Sequence, residues 1–385
     1  MRSIELFSGA GGLALGLEHA GIEPVALIER NIPACNTLRH NRPNWDVLSS
    51  DVRTIDFKGF GPIEIVAGGP PCQPFSMGGK ARGFSDDRDM FPEAVRAVRE
   101  LQPMAFVFEN VRGLLRPAFS NYVEFIRLRL TYPGFPIAPN ASWENNLKRL
   151  ERHHTSQNAS GELNYKVTLN LADAADYGVP QHRHRVFFVG FRADLNARWF
   201  FPSPTHSPHQ LLSDQFVSGQ YWARHGLAGP KSVPKSKARR VKEAAFGELL
   251  AQKPWVTVRD AISDLGDPRH EHGVPNHVFQ GGARSYPGHT GSPLDEPSKA
   301  LKAGDHGVPG GENMLRHSNG QVRYFTLREA ARIQTFPDDY EFPGSWTESM
   351  RQLGNAVPVQ LASTVLSSVA NSLKRDVRKA AVQPD

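Results

Sequence analysis

Cysteine is almost absent from this chain, which has only Cys35 and Cys72 among its 385 residues. Two cysteines cannot form the disulfide framework of a small secreted domain or a zinc module with several thiolate ligands. No stretch approaches the roughly 18 consecutive apolar residues of a transmembrane helix. The N-terminus enters a strand-like run almost at once, without the basic and apolar regions of a signal peptide. We therefore expect a reduced, cytoplasmic protein without a membrane span.

Charge of one sign is in only modest excess, with 45 Lys and Arg against 39 Asp and Glu and a net charge of +6. The excess is uneven, because residues 191–322 hold 16 basic and 12 acidic side chains and so carry +4 of it. This segment is also rich in Pro, Gly and His, and its densest basic cluster lies within residues 231–242. A modest basic excess suits a polyanionic partner such as a nucleic acid.

Short apolar runs alternate with helical patterns through the first 120 residues. The patterns predict strands at 3–7, 24–28, 64–67 and 105–108, and helices at 13–20, 31–40 and 92–101. Further strands are predicted at 166–171 and 185–190, and a long helix at 359–373. Such alternation favours a parallel sheet with helices on both faces. The sequence therefore predicts an α/β protein.

A glycine-rich turn, Phe7–Gly12, joins the first predicted strand to the first helix. Glycines there let the backbone turn sharply and approach a ligand closely. Glu29 follows at the end of the second strand, where a carboxylate can accept two ribose hydroxyls, and Asp51 at a later strand end suits an adenine amino group. The pattern indicates a cofactor that contains adenosine, and a ligand-free strand–helix turn is the alternative.

Two further strand ends present chemistry-bearing side chains. Cys72 lies in a loop just past a strand, where open parallel sheets bind ligands, and the prolines before it fix the position of the thiol. An inert, packed thiol is the alternative, and packing is the role we assign to Cys35.

Glu109 directly follows a very apolar strand, and partial desolvation there would let it hold or donate a proton near neutrality. A Glu109-Asn110 pair that caps a helix or a loop is the alternative.

Gln181, Arg183 and Arg185 alternate along the chain just before and into another predicted strand. Alternate side chains of a strand point to one face. Two guanidinium groups and an amide on one face would form a site for an anion or for the edge of a base. A solvated edge strand is the alternative.

Taken in order, these segments resemble the motif series of the cytosine-5 DNA methyltransferases of bacterial restriction-modification systems. The series comprises Phe7–Gly12, Pro71-Cys72-Gln73, Glu109-Asn110-Val111, Gln181/Arg183/Arg185, Arg323–Phe336 and Gly354-Asn355-Ala356-Val357. Each motif is weak alone, but six in order, with one long variable region in the expected place, are specific. The resemblance covers residues 3–125, 166–190 and 323–372.

The resemblance implies methyl transfer from S-adenosylmethionine to carbon 5 of a cytosine flipped out of DNA. Cys72 would attack carbon 6 and so activate carbon 5. Glu109 would hydrogen-bond or protonate ring nitrogen 3 and contact the exocyclic amine. Arg185, with Arg183, would contact the ring carbonyl oxygen or the adjacent phosphate. No residue clearly fits as the base that removes the carbon 5 proton, and solvent can serve.

The resemblance also implies two sets of binding residues and no metal. The cofactor would be bound by Phe7, Gly9, Gly11, Gly12, Glu29, Asp51, Val52, Pro71, Asn355 and Val357. DNA would be bound by Gln73, Ser76, Lys80, Arg82, Gln181, Arg284, Lys302 and His306. The glycine-rich segment 76–83 resembles the family's mobile loop that closes over DNA, and an ordinary surface loop is the alternative. We expect no metal at His270, His272 and His277, because thiol ligands are absent from this basic segment.

The fold implied is a Rossmann-like S-adenosylmethionine-dependent methyltransferase sheet with a smaller, irregular target-recognition domain. We expect residues 1–190, completed by 323–385, to form the catalytic and cofactor-binding domain, because the helix after Asn355 must return beside the first strand. Residues 191–322 would form the target-recognition domain, with reading loops at Gly281–Gly291 and Gly304–Gly311. The expected partner is double-stranded DNA. We further expect a nucleoid-associated monomer and a restriction endonuclease that acts separately.

Three other functions fit parts of the pattern. A transfer RNA cytosine-5 methyltransferase is disfavoured by the long basic segment and by Pro71-Cys72-Gln73. A catalytically inactive DNA-binding relative is disfavoured because Cys72, Glu109 and the cofactor residues are present. A nicotinamide-dependent oxidoreductase shares the glycine turn and the following carboxylate, but it explains neither Cys72 nor the basic middle segment.

Overall fold

A seven-stranded sheet is the centre of the computed structural model, which describes residues 1–71, 89–156, 161–195, 197–246, 252–270, 273–303 and 313–382. The strands are β1 (Arg2–Leu6), β2 (Glu23–Glu29), β3 (Val47–Ser49), β4 (Ile65–Gly68), β5 (Ala105–Val111), β6 (Tyr165–Asp173) and β7 (His184–Arg192). Their order across the sheet is β3-β2-β1-β4-β5-β7-β6. The reversal of strand order beside β1 is typical of doubly wound α/β proteins.

The first five strands are parallel, and β7 is antiparallel to β5. The register pairs Ala105 with Phe191 and Val111 with Arg185. Antiparallel pairing therefore carries the beginning of β7 to the edge of the sheet where the parallel strands end. The α/β prediction is confirmed, and the strand predicted at 185–190 extends the same sheet, in which it is antiparallel to β5.

Helices cover both faces of the sheet, as predicted. The helices of the first part of the chain are α1 (Gly12–His19), α2 (Ile32–Asn41), α3 (Phe91–Leu101), α4 (Ser120–Thr131) and α5 (Trp143–Thr155). On β2, Leu27 packs with Ala14 of α1 and Cys35 of α2, whereas the adjacent Ile28 belongs to the cluster that contains Val98 of α3. Since successive strand residues point to opposite faces, α1 and α2 cover one face and α3 the other. Cys35 is fully buried, which confirms its packing role.

The chain divides into two compact units. The first contains Met1–Ala172, His184–Phe201 and Ala362–Asp385, and the second contains Asp173–Arg183 and Pro202–Leu361. In the first unit, the long C-terminal helix, Val359–Val382, packs closely on α1. A Cβ atom added to Gly16 would lie 2.6 Å from Cβ of Ala362. The C-terminal helix thus lies against α1, the helix that directly follows β1.

The second unit is built from short elements. Its helices are α6 (Pro208–Phe216), α7 (Gln220–Arg224), α8 (Ala238–Phe246), α9 (Val258–Ile262), α10 (Leu327–Ile333) and α11 (Trp346–Asn355). The C-terminal helix described above, Val359–Val382, is numbered α12. Its strands are β8 (His206–Ser207) and β9 (Lys253–Pro254), which form one pair, and β10 (Ser292–Pro293), β11 (Met314–Arg316) and β12 (Val322–Tyr324), which form a three-stranded sheet.

The boundaries of these units differ from the predicted domains. Residues 323–361, expected in the catalytic domain, pack with the segment that follows residue 202. His277 is buried against the hydroxyl of Thr326, and Asn276 exchanges two hydrogen bonds with the backbone of Phe342. These contacts join α10 and its neighbours to the irregular middle of the chain. No helix in the described part of the chain is long and apolar enough to cross a membrane.

Candidate active site

The glycine turn after β1 adopts a left-handed backbone at three of its residues. The φ angles are 60° at Phe7, 53° at Gly9 and 87° at Gly11. A positive φ is uncommon and strained for a bulky residue such as Phe7, and strain of this kind concentrates at ligand sites. A Cβ atom added to Gly9 would meet no atom within 4 Å. The turn therefore leaves open space beside its backbone, where a ligand can approach.

Glu29 ties this turn to the following helix. Its Oε2 accepts a hydrogen bond from the backbone N–H of Gly9 at 2.9 Å, and its Oε1 accepts one from Asn31 at 2.7 Å. Each carboxylate oxygen can accept a further hydrogen bond. The half-buried carboxylate is thus held in place by two backbone groups and retains acceptor capacity for hydroxyl groups. Its predicted role at a ribose stays a prediction.

Glu5 is a second carboxyl group in this region that the sequence reasoning missed. It lies within β1 and is 1% exposed, and its Oε2 has no hydrogen-bond partner among the described residues. Burial, together with the charge of Glu29, raises the pKa of Glu5 well above its ordinary value. The available signal was an ionisable residue between two apolar strand residues, Ile4 and Leu6, because such residues are rarely buried without a role.

Asp51 caps a short 3-10 turn, Val52–Thr54, that follows β3. Its Oδ1 accepts hydrogen bonds from the backbone and from Nε of Arg53, both at 3.0 Å, and its Oδ2 accepts one from Nη2 at 2.6 Å. These hydrogen bonds lower the pKa of Asp51 to about 2. The carboxylate therefore stays ionised, and Arg53 competes for the acceptor atoms assigned to adenine. The predicted contacts of Asp51 and Val52 with a cofactor stay predictions.

Glu109 and Arg185 form a buried ion pair at the carboxyl edge of the sheet. Their side chains are only 9% and 11% exposed. Burial lowers the pKa of Arg185, and the charge of Glu109 opposes that change. Glu109 also lies against the segment that follows β4, since a Cβ atom added to Gly69 would be 3.2 Å from its Oε2. The pair provides a fixed acid and a fixed cation beside the segment that leads to Cys72.

Asn110 anchors that same segment. Its Nδ2 donates a hydrogen bond to the carbonyl of Pro70 at 3.0 Å, and its Oδ1 accepts one from Val111 at 2.8 Å. The carbonyl of Pro71 accepts a hydrogen bond from the N–H of Met90 at 3.1 Å. Five site predictions, for Cys72, Gln73, Ser76, Lys80 and Arg82, lie outside the described residues, as does His306. Both ends of the segment that carries the predicted nucleophile are thus tied to the sheet edge.

Gln181 and Arg183 lie in the second unit and are 0% and 1% exposed. Their described hydrogen bonds go to protein groups, with Arg183 donating to the carbonyls of Leu301 and Gly354. Sequence alternation predicted one face for these residues and Arg185, but β7 begins only at His184. Alternation therefore does not apply to Gln181 and Arg183. Their assignments to DNA and to catalysis stay predictions.

The remaining predicted residues of the second unit are mostly at the surface. Arg284, Lys302 and Asn355 are exposed, and Val357 is buried. The backbone N–H of Lys302 donates to Oδ1 of Asn313 at 2.9 Å, which fixes the backbone beneath its side chain. The predicted contacts of these four residues with DNA or with a cofactor stay predictions.

Fold and edge site together are those of an open-sheet α/β enzyme that binds ligands at the carboxyl ends of its strands. The profile of the C-5 cytosine-specific DNA methylases matches residues 1–140 and 145–371. Type II methyltransferase M.NgoMIV of Neisseria gonorrhoeae is 35% identical over 380 residues, which cover 97% of this chain and 98% of the relative. Type II methyltransferase M.Eco47II of Escherichia coli is 33% identical over 376 residues, which cover 97% and 79%. The chain therefore belongs to the C-5 cytosine-specific DNA methylases, as the motif series predicts.

Solved structures give the same fold. A prophage-encoded E. coli protein described as a DNA modification methyltransferase matches with a TM-score of 0.59 and 25% identity, over 97% of this chain and 99% of that one. DNMT2 of Spodoptera frugiperda matches with a TM-score of 0.57 and 18% identity, over 97% and 99%. At the lower identity the likeness concerns the fold alone. The predicted enzyme class, a DNA cytosine-5 methyltransferase, is confirmed by the family membership.

Proposed function

We propose that this enzyme is a type II methyltransferase that methylates carbon 5 of a flipped-out cytosine within a specific double-stranded DNA sequence. The buried Glu109–Arg185 pair beside the Gly69–Pro71 segment is the observation that carries the proposal. The cytosine ring is neutral and planar, and it must gain electron density at carbon 5. It therefore needs fixed polar groups along its edge. The names of the relatives M.NgoMIV and M.Eco47II support the type II assignment.

The first unit has residues that fit an adenosine-containing cofactor. The turn leaves open space at Gly9, and Glu29 holds a carboxylate beside it through two backbone hydrogen bonds. Phe7, Gly9, Gly11, Gly12 and Glu29 would hold S-adenosylmethionine, which supplies the methyl group when bound. Asp51, Val52, Pro71, Asn355 and Val357 complete the proposed set by family resemblance. We propose no metal.

The chain's own residues would act on the cytosine ring. The thiolate of Cys72 forms a covalent bond to carbon 6, and the electron pair of the ring double bond becomes available at carbon 5. Glu109 binds the exocyclic amine and shares a proton with ring nitrogen 3, which draws charge away from carbon 6. Arg185 holds the Glu109 carboxylate in place and provides a positive field for the thiolate and the ring carbonyl oxygen. That electron pair would form the bond to the methyl group, and loss of the carbon 5 proton to solvent would then restore the ring double bond as the bond between carbon 6 and the Cys72 sulfur breaks.

Labelled S-adenosylmethionine and duplex DNA of mixed sequence test the activity. We expect the label in DNA, and efficient transfer to transfer RNA without transfer to DNA would contradict the proposed substrate. Bisulfite sequencing of DNA from cells that express the protein would identify the target sequence. We also propose that the enzyme is a nucleoid-associated monomer whose restriction endonuclease acts separately.

Duplex DNA that contains 5-fluorocytosine tests the covalent step. In the presence of S-adenosylmethionine, carbon 5 would carry both the methyl group and fluorine. Fluorine cannot leave as the proton does, so the complex formed through Cys72 should survive denaturing electrophoresis. Cys72→Ser should abolish the complex. Cys35→Ser is the matched control and should still form it, because Cys35 is buried and its Sγ donates to the carbonyl of Glu29 at 3.2 Å. A stable complex with the Cys72→Ser variant would overturn the mechanism.

A further inference from the structure

Arg183 joins two backbone segments that are distant in the sequence. Its Nη1 donates to the carbonyl of Leu301 at 2.9 Å, and its Nη2 donates to the carbonyl of Gly354 at 2.6 Å. The side chain is 1% exposed. The residue after Leu301 is Lys302, a proposed DNA contact, and the residue after Gly354 is Asn355, a proposed cofactor contact. One buried guanidinium group therefore holds the backbone immediately before each of them.

Gln181 connects the same two segments by a second route. Its Oε1 accepts a hydrogen bond from the N–H of Leu301 at 2.9 Å, and its Nε2 donates to Oε1 of Gln334 at 3.0 Å. Nε2 of Gln334 in turn donates to the carbonyl of Leu353. Both glutamine side chains are fully buried. Two independent chains of hydrogen bonds thus run from the backbone at Leu301 to the backbone at residues 353–354.

The two segments are also in direct contact. A Cβ atom added to Gly354 would lie 2.4 Å from the backbone nitrogen of Ala303 and 2.4 Å from the carbonyl carbon of Lys302. Real Cβ atoms do not approach other atoms this closely, so only glycine allows the backbones to meet here. Close-packed interiors transmit small displacements instead of absorbing them. A shift of one segment must therefore move the other or break the hydrogen bonds of Arg183.

We propose that Arg183 is a positioning residue that couples DNA binding at Lys302 to cofactor binding at Asn355, and not a catalytic residue. This inference rests on the proposed function, since it needs both ligands to bind. Buried hydrogen bonds to a charged group are among the stronger ones, and leaving such a group without partners is costly. The arrangement in which the carbonyls of Leu301 and Gly354 both accept hydrogen bonds from Arg183 is therefore favoured. A ligand that stabilises this arrangement at one segment increases the affinity of the other segment for its own ligand.

A binding cycle measures this coupling without any turnover. The dissociation constant of the full-length protein for its target duplex is determined with and without S-adenosylhomocysteine, and that for S-adenosylhomocysteine with and without DNA. The two ratios must agree, because coupling is reciprocal. We expect a ratio of about fivefold or more for the natural protein. For Arg183→Lys, which keeps the charge but cannot hold two carbonyls in the same geometry, we expect the ratio to fall to within about twofold of one.

Arg328→Lys is the matched control. Arg328 is 0% exposed and donates to the carbonyls of Pro275, Pro337 and Tyr340, so it is an equally buried arginine that bonds to neither segment. We expect this variant to keep the natural coupling ratio even if its melting temperature falls. Equal losses of coupling in the Arg183 and Arg328 variants would show a merely structural role and would overturn the inference.

Gln181→Met serves if Arg183→Lys does not fold, because it breaks the second route and leaves Arg183 in place. We expect an intermediate ratio from this variant, and an unchanged ratio would contradict the inference. A natural protein that methylates DNA but shows no coupling would also overturn it while leaving the proposed function intact. A natural protein that binds both ligands but methylates no DNA would instead contradict the proposed function.

Discussion

Glu109 and Arg185 depend on each other because both side chains have lost most of their water. Removing the cation leaves a buried carboxylate without its compensating charge, which typically costs about 3–5 kcal/mol of stability. The same change removes the group that holds Glu109 against the base. Losing one positioned polar group of this kind typically lowers kcat by about 10²-fold or more. Stability and activity are therefore linked at this pair.

We predict that Arg185→Met loses about 3 kcal/mol or more of unfolding free energy and about 10²-fold or more in single-turnover methylation. Adding Glu109→Gln to Arg185→Met should restore part of the stability, because no charge then remains buried, but should not restore the activity. Urea unfolding and single-turnover rates of the two single variants and the double variant give the coupling energy. A double variant no more stable than Arg185→Met would contradict the pairing.

Glu5 makes stability depend on pH. Its pKa is raised in the folded protein by burial and by the charge of Glu29, so the folded protein retains a proton that the unfolded chain loses. The contribution of Glu5 to stability is therefore complete below its unfolded pKa, and it falls as the pH rises toward the folded pKa. Within that window the loss is about 1.4 kcal/mol per pH unit.

We predict that Glu5→Gln removes this loss. The unfolding free energy of the variant should exceed that of the natural protein by a margin that grows as the pH rises above about 4.3, the ordinary pKa of a glutamate. Urea unfolding of both proteins across this range measures the margin. A margin that does not change with pH would show that Glu5 does not titrate in this way.

At the level of elements, the helices and strands of the sheet could be predicted because their apolar patterns are short, distinct and bounded by turns. The direction of β7 could not be predicted, since an apolar run reads the same in a parallel and an antiparallel strand. Direction matters here, because it brings Arg185 to Glu109. The strand predicted at 185–190 begins at His184, so Arg183 precedes it, and the separate environment of Arg183 was not predicted.

The close contact between α1 and α12 gives an element-scale prediction. Gly16→Ala would place a Cβ atom 2.6 Å from Cβ of Ala362 and force the helices apart. Overpacking of this kind typically costs about 1–3 kcal/mol. Gly59→Ala is the control, because a Cβ atom there would meet nothing within 4 Å. We expect urea unfolding to show the loss for Gly16→Ala alone. Ala362→Gly should rescue only part of it, because backbone atoms of Ala362 and Ser363 would still lie 3.0 Å from the added Cβ atom. Equal effects of the two glycine substitutions would contradict the steric explanation.

At the level of the whole molecule, composition located the irregular middle of the chain but not the full second unit. The basic excess and the many Pro and Gly residues begin after residue 190, near the observed change at Pro202. Residues 323–361 have ordinary composition, so nothing local assigns them to either unit. Their place depends on contacts between distant residues, such as Asn276 with Phe342 and His277 with Thr326. Contacts of this kind have no signature in a single sequence.

The charge of the whole chain then has a specific, measurable consequence. Lys231, Lys235 and Lys242 are exposed in the second unit and belong to the basic segment 191–322. If they meet phosphates, each should contribute about 0.9 to the slope of log affinity against log salt. We predict that changing all three to Ala flattens the slope by up to about 2.7 over about 50–200 mM salt.

Lys58, Lys148 and Arg152 provide the matched control, because they are exposed cations of the first unit and their loss changes the net charge equally. The slope of this control variant should stay close to the natural one. Fluorescence anisotropy with a labelled duplex measures all three proteins. Equal slopes in the two triple variants would show that net charge alone attracts DNA, because a general field does not depend on which unit carries it. A difference between them would place phosphate contacts on the segment that holds the basic excess.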